Sequence, residues 1–127
     1  MDVRVEARGS VAVVTVSGEC DASEAWRLAA ALREARLTAD EVHIDLSGLA
    51  FLDSAALQVL YTESVELEAR RSRLVLVDPQ PGIRRVLEIT GLDTRLELRS
   101  STDGLSSADG RRASLTPSRL DALGNQA

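Results

Sequence analysis

Three stretches of strand period, Val11–Val16, Glu41–Leu46 and Arg73–Asp78, are separated by two stretches whose apolar residues recur at helical spacing. That alternation constrains the fold more than any other feature, because units of this length imply parallel strands joined by right-handed crossovers. Ahead of them, Val3, Val5 and Ala7 alternate with Arg4 and Glu6, and Gly9-Ser10 turns the chain back into Val11. An antiparallel hairpin therefore opens the sheet. The expected class is α/β: a mixed, largely parallel sheet with an N-terminal antiparallel hairpin and amphipathic crossover helices.

Local signals set the expected helix limits. Asp21-Ala22-Ser23-Glu24 reads as a capping box, in which acceptor and Glu each satisfy a free helix N–H, and Ala25, Leu28, Ala29, Leu32 and Ala35 follow as one apolar stripe. Ser47-Gly48 and the apolar Leu49–Leu52 lead to Asp53-Ser54 and a second helix, with Leu57, Leu60, Tyr61, Ser64 and Leu67 on its buried side. Pro79 and Pro81 introduce a third helix with Ile83, Val86 and Leu87 inward, and Gly91 is placed to end it. Arg95–Leu98 is a weak last strand. From Ser100 the chain is too poor in apolar residues to offset the entropy of ordering it. One domain over residues 1–99 and a flexible polar tail over 100–127 are expected.

Composition excludes several classes of function. All 15 basic residues are arginine, so a phosphate-binding P-loop, a Schiff-base enzyme and a protein kinase each lack their lysine. A net charge of −5 argues against direct nucleic-acid binding, whose affinity comes chiefly from clustered positive charge. Aromatic residues are 2% of the chain, which leaves little for stacking bases or caging a ring cofactor. Cys20 is the single cysteine, precluding an intrachain disulfide and pointing to a small buried apolar role rather than a reactive thiol. His43, between Val42 and Ile44, reads as a solvent-facing strand position rather than a catalytic base. The absence of an apolar run long enough for a membrane span, and of a basic leader, makes the cytoplasm the expected location. No catalysis, cofactor or metal is expected.

Chemistry is expected where loops leave the carboxyl ends of parallel strands. Gly18-Glu19-Cys20-Asp21 leaves one strand and Ser47 to Ser54 the next, so Asp21 and Ser54 can lie close on one edge. A hydroxyl at a helix start sits beside unpaired N–H groups and the positive end of the helix dipole, which makes Ser54 a possible phosphoacceptor. On local sequence alone Asp53 or Ser54 reads first as a plain N-cap, and Asp21 as a capping-box acceptor. A cation held by Asp21, Asp45 and Asp53 has no fixed-spacing motif behind it. A hydrolase elbow is not supported, since Leu52-Asp53-Ser54-Ala55-Ala56 lacks the flanking glycines. A receiver domain would want a lysine and paired acids after its first strand.

Gly18-Glu19-Cys20-Asp21, then Ile44-Asp45-Leu46-Ser47-Gly48-Leu49-Ala50-Phe51-Leu52-Asp53-Ser54, then Leu87-Glu88-Ile89-Thr90-Gly91-Leu92, together resemble the STAS-domain family of bacterial anti-sigma factor antagonists. The resemblance spans nearly all of residues 1–99 and implies a STAS-like sheet and a partner switch. It implies that Ser54 is phosphorylated by a kinase-type anti-sigma factor that supplies ATP. The unphosphorylated form binds that kinase and frees the sigma factor, and a serine phosphatase resets the cycle. Asp21, Asp53, Ser54, Ala55 and Ala56 are then the expected partner-binding residues, Ala55 and Ala56 standing where the family commonly has Ser or Thr and then Gly. The alternative is a STAS interaction subunit of a transporter or signalling scaffold without phosphorylation. Arg111-Arg112-Ala113-Ser114-Leu115 also resembles a site for basic-directed serine kinases, or is simply a charged stretch.

Overall fold

The computed structural model describes residues 1–101, so the expected tail beyond Ser101 and the Arg111–Leu115 motif lie outside the described residues. Strand β1 (Asp2–Arg8) turns at Gly9-Ser10 into β2 (Val11–Cys20), and helix α1 (Ala25–Thr38) crosses to β3 (Glu41–Leu52). Helix α2 (Ser54–Ala69) leads to β4 (Arg73–Val77), and α3 (Pro81–Thr90) with a 3-10 turn (Leu92–Thr94) leads to β5 (Glu97–Arg99). The sheet order is β1-β2-β3-β4-β5, with β1 and β2 antiparallel and every other neighbour parallel. The expected mixed sheet, opened by a hairpin and continued by crossovers, is the one observed.

Register explains which residues make the core. Ala12 and Val14 on β2 align with Val42 and Ile44 on β3 and through them with Leu74 and Leu76 on β4, and Val16 is buried beyond them, so one sheet face is aliphatic throughout. The buried residues of α1, Leu28, Ala31, Leu32 and Ala35, join Leu60 and Leu67 of α2 and Ile83 and Leu87 of α3 against that face. The other face carries no helix. There Arg4, Glu6, Thr15, Glu41, His43, Asp45, Arg73 and Glu97 alternate with valines. Val75 lies on this second face, fully buried, with His43 and Glu97 beside it in register.

Several expected limits move. Asp21 to Glu24 form a turn, not a capping box: Glu24 is the N-cap in a helical conformation without a side-chain cap, and its carboxylate instead accepts from Arg27 at 2.7 Å. Tyr61, placed inward by the helical count, is 42% exposed, while Ala56 and Glu63 are buried. The buried side of α2 is thus offset from the count, and it carries Glu63, which pairs with Arg36 of α1 (Nε to Oε1, 2.9 Å). The last strand starts at Glu97, since the 3-10 turn continues from Gly91, whose left-handed φ of 81° ends α3 as expected.

His43 faces the helix-free side as expected but is half-buried, with Nε2 2.5 Å from Glu41 Oε2. Burial pushes the Glu41 carboxyl up, yet His43 and then Arg73, 3.3 Å from its other oxygen, outweigh this and hold it down at about 2. A depressed acid stabilises the fold above its unfolded value and loses that contribution as pH falls through the folded one. Wild type is expected to exceed Glu41→Gln in stability by on the order of 2 kcal/mol at pH 6. The gap should close between pH 4.5 and about 2, and chemical denaturation of both proteins across that range checks it.

Candidate functional site

The site rests on two strands that run further than sequence pattern suggests. Beyond Thr15 and Asp45 the β2–β3 ladder continues through two irregularities, so that Ser17 aligns with Gly48 and Cys20 with Leu52. Ser47-Gly48, expected as a break, is absorbed as bulged strand, which lets the ladder resume instead of ending. A Cβ on Gly48 would stand 3.0 Å from the Ser17 Cβ, so a side chain here would push the two strands apart by a few tenths of an ångström. At the end of the ladder the Asp53 N–H donates to the Cys20 carbonyl at 3.1 Å. That bond brings the segments bearing Asp21 and Asp53-Ser54 together at one sheet edge, the juxtaposition expected from the loops.

Asp53 is the N-cap of α2. Its backbone is extended, and Oδ1 accepts from the Ala55 N–H at 3.0 Å and the Ala56 N–H at 3.3 Å. The N-cap role left open between Asp53 and Ser54 thus falls to Asp53. Ser54 is the first residue of α2, exposed, and its hydroxyl is committed to no described neighbour. Asp21 closes its own turn, Oδ1 accepting from the Ser23 N–H at 3.0 Å and the Ser23 hydroxyl at 2.6 Å. The Ser23 hydroxyl above all, against a smaller effect of burial, holds the Asp21 carboxyl below its ordinary value. Asp45 repeats this pattern with Ser47, so the three carboxylates serve three separate turns.

Cys20 is fully buried between these acids. Burial, then Asp53 and Asp21, push its thiol up, which keeps it protonated and in keeping with a packing role. Ala55 is half-buried and Ala56 fully buried in the core cluster. The Ala56 methyl therefore packs inward beneath the helix start, leaving Asp21, Asp53, Ser54 and part of Ala55 as the accessible surface.

Sequence reasoning did not anticipate the apolar border of this surface. Phe51, two residues before Asp53, is 46% exposed, and Tyr61 and Val65 are exposed on α2. Counting from Ser54, residues 58, 61 and 65 fall at i+4, i+7 and i+11, so Gln58, Tyr61 and Val65 share its side of the helix. That spacing was the available signal. The Tyr61 ring is held by Arg95, whose guanidinium lies 5.2 Å from the ring centre and also pairs with Glu68 at 3.0 Å.

Comparison with known proteins gives concordant results. The family model described as "Mlab, STAS domain" matches residues 3–100. An anti-sigma F factor antagonist of Lysinibacillus sphaericus is 30% identical over 82 residues, covering 63% of this chain and 70% of that protein. The crystal structure of an anti-sigma factor antagonist from Mycobacterium paratuberculosis superposes with a TM-score of 0.73 at 31% identity, over 86% of this chain and 94% of that one. The phosphorylated form of the Bacillus cell fate determinant SpoIIAA shares the fold, with a TM-score of 0.65 at 21% identity over 84% of this chain and 98% of that one.

Proposed function

This chain belongs to the STAS-domain family, and from that premise we propose that it is an anti-sigma factor antagonist, a non-enzymatic regulator switched at Ser54. In its unphosphorylated state it binds a kinase-type anti-sigma factor and releases the sigma factor to transcription. The kinase, supplying ATP, phosphorylates Ser54, and a serine phosphatase removes the group. A cytoplasmic setting goes with this role, and no helix of the described residues is long and apolar enough to cross a membrane.

One observation carries the proposal: an uncommitted, exposed hydroxyl at the first position of α2, directly after an N-cap that has already taken the Ala55 and Ala56 N–H groups. A helix start normally welcomes a phosphate through these donors. Here Asp53 occupies them, and Asp21 is on the neighbouring loop. A phosphoryl group of about −1.5 to −2 charge would therefore be poorly neutralised locally, and its charge would face the docked partner. Phe51, Tyr61 and Val65 supply the apolar part of that docking surface, with aromatic anchors of the kind that carry interface energy.

The test is intact-mass spectrometry after incubation with ATP and each kinase-type anti-sigma factor of the host, beside Ser54→Ala. One added phosphate on wild type and none on the variant is expected. Complex formation without phosphate would reduce the proposal to constitutive binding. Neither phosphate nor complex would replace it by the non-phosphorylated interaction subunit.

A further inference from the structure

Strand β1 is one edge of the sheet, and among the described residues nothing pairs with its outer side. Natural edges are commonly blunted by charge, but this one carries charge of alternating sign: Asp2, Arg4, Glu6 and Arg8 on the helix-free face, with Val3, Val5 and Ala7 on the core face. Consider a second copy laid antiparallel against it, with the two-fold axis at Val5. Asp2 then opposes Arg8 of the other copy and Arg4 opposes Glu6, each twice by symmetry, while Val5 meets Val5 and Val3 meets Ala7. Sliding the copies so that Arg4 meets Arg4 sets Asp2 against Glu6, and sliding the other way sets Glu6 against Glu6 and Arg4 against Arg8. Among full-length pairings that keep the core faces together, only the Val5-centred one opposes unlike charges throughout.

The helix above this edge has the same self-complementarity. Val3 and Val5 form, with Trp26, Arg27, Ala30, Ala31 and Glu34, an open groove of about 350 Å³ between β1 and α1. Along that side α1 reads basic, small, small, acidic, so an antiparallel copy brings Glu34 toward Arg27, which within its own chain also holds Glu24 and the Met1 carbonyl at 2.7 Å, with alanines between. Helix α1 packs across both β1 and β2. With strands about 4.8 Å apart, the two copies of α1 would lie roughly 10 Å apart, a helix-packing distance. Trp26, 69% exposed at the rim, would be covered by the second copy.

We propose that the chain forms a two-fold homodimer through β1 and α1, joining two five-stranded sheets into one and leaving Ser54, at the end of β3 two strands away, free for its partner. The occupant of this edge is a second copy, because two independent charge patterns, on the strand and on the helix, are each complementary to themselves about one axis.

Sedimentation analysis of the full chain over a concentration series tests this. Wild type is expected to reach twice 13.6 kDa, with Trp26 emission shifting to the blue as dimer forms. Arg4→Glu, exposed and outside the core, places like charges at two symmetric contacts and should raise the dimer dissociation constant at least about tenfold. The double variant Arg4→Glu/Glu6→Arg recreates the pairs and should return it to within about threefold of wild type. A wild-type monomer at every concentration would overturn the proposal, as would a dimer indifferent to Arg4→Glu. Blue-shifted Trp26 emission in a monomer would do so too, by assigning the groove to the chain's own residues.

Discussion

Ser54→Asp is expected to weaken binding to the kinase-type anti-sigma factor by roughly a hundredfold while leaving the unfolding transition close to that of wild type. A charge desolvated in a docked interface without a counter-charge costs several kcal/mol, and each 1.4 kcal/mol is about tenfold in affinity. Stability should hardly change, because Ser54 is exposed and packs against nothing in the core. Ser54→Ala separates charge from hydroxyl loss: it should bind about as well as wild type and escape the switch altogether. Titration calorimetry of the three proteins against the kinase, with thermal unfolding alongside, checks both halves. Equal affinity of wild type and Ser54→Asp would show that charge at this position does not gate the partner.

The order of elements, the hairpin and the parallel ladder were legible because apolar period and turn residues report directly on which faces are buried. What the sequence left hidden depends on pairs far apart in the chain. Tyr61 reads inward by period, but Ala56 and the Arg36-paired Glu63 take the buried side of α2 and the ring lies outside under Arg95. The capping box at Asp21 reads well locally, yet Asp21 closes a turn of its own on Ser23, α1 begins only after Glu24, and Arg27 takes the Glu24 carboxylate. Ser47-Gly48 looks like a strand end because nothing local says that Ser17 will lie against it. At the site itself, the Asp-Ser step was readable as a helix start. The assignment of the cap to Asp53, which frees the Ser54 hydroxyl, required the backbone.

Glu63→Ala should destabilise the fold by about 3 kcal/mol, the scale seen when one member of a buried ion pair is removed. Glu63 is 9% exposed and Arg36 15%, and their 2.9 Å contact ties α1 to α2 across the helical layer. Removing the carboxylate leaves the guanidinium near apolar neighbours without a counter-charge, and solvation of Arg36 can return only part of the loss. The pair itself contributes far less than this cost implies, since both charges were desolvated to make it. The double variant Arg36→Met/Glu63→Leu should accordingly recover most of the stability, and a double-mutant cycle by denaturant unfolding measures the coupling. Because the pair ties α2 to α1 beside the face that carries Tyr61 and Val65, the double variant is expected to lower partner affinity even where stability is restored. Unchanged affinity in a stable double variant would show that core packing alone fixes which face of α2 the partner meets.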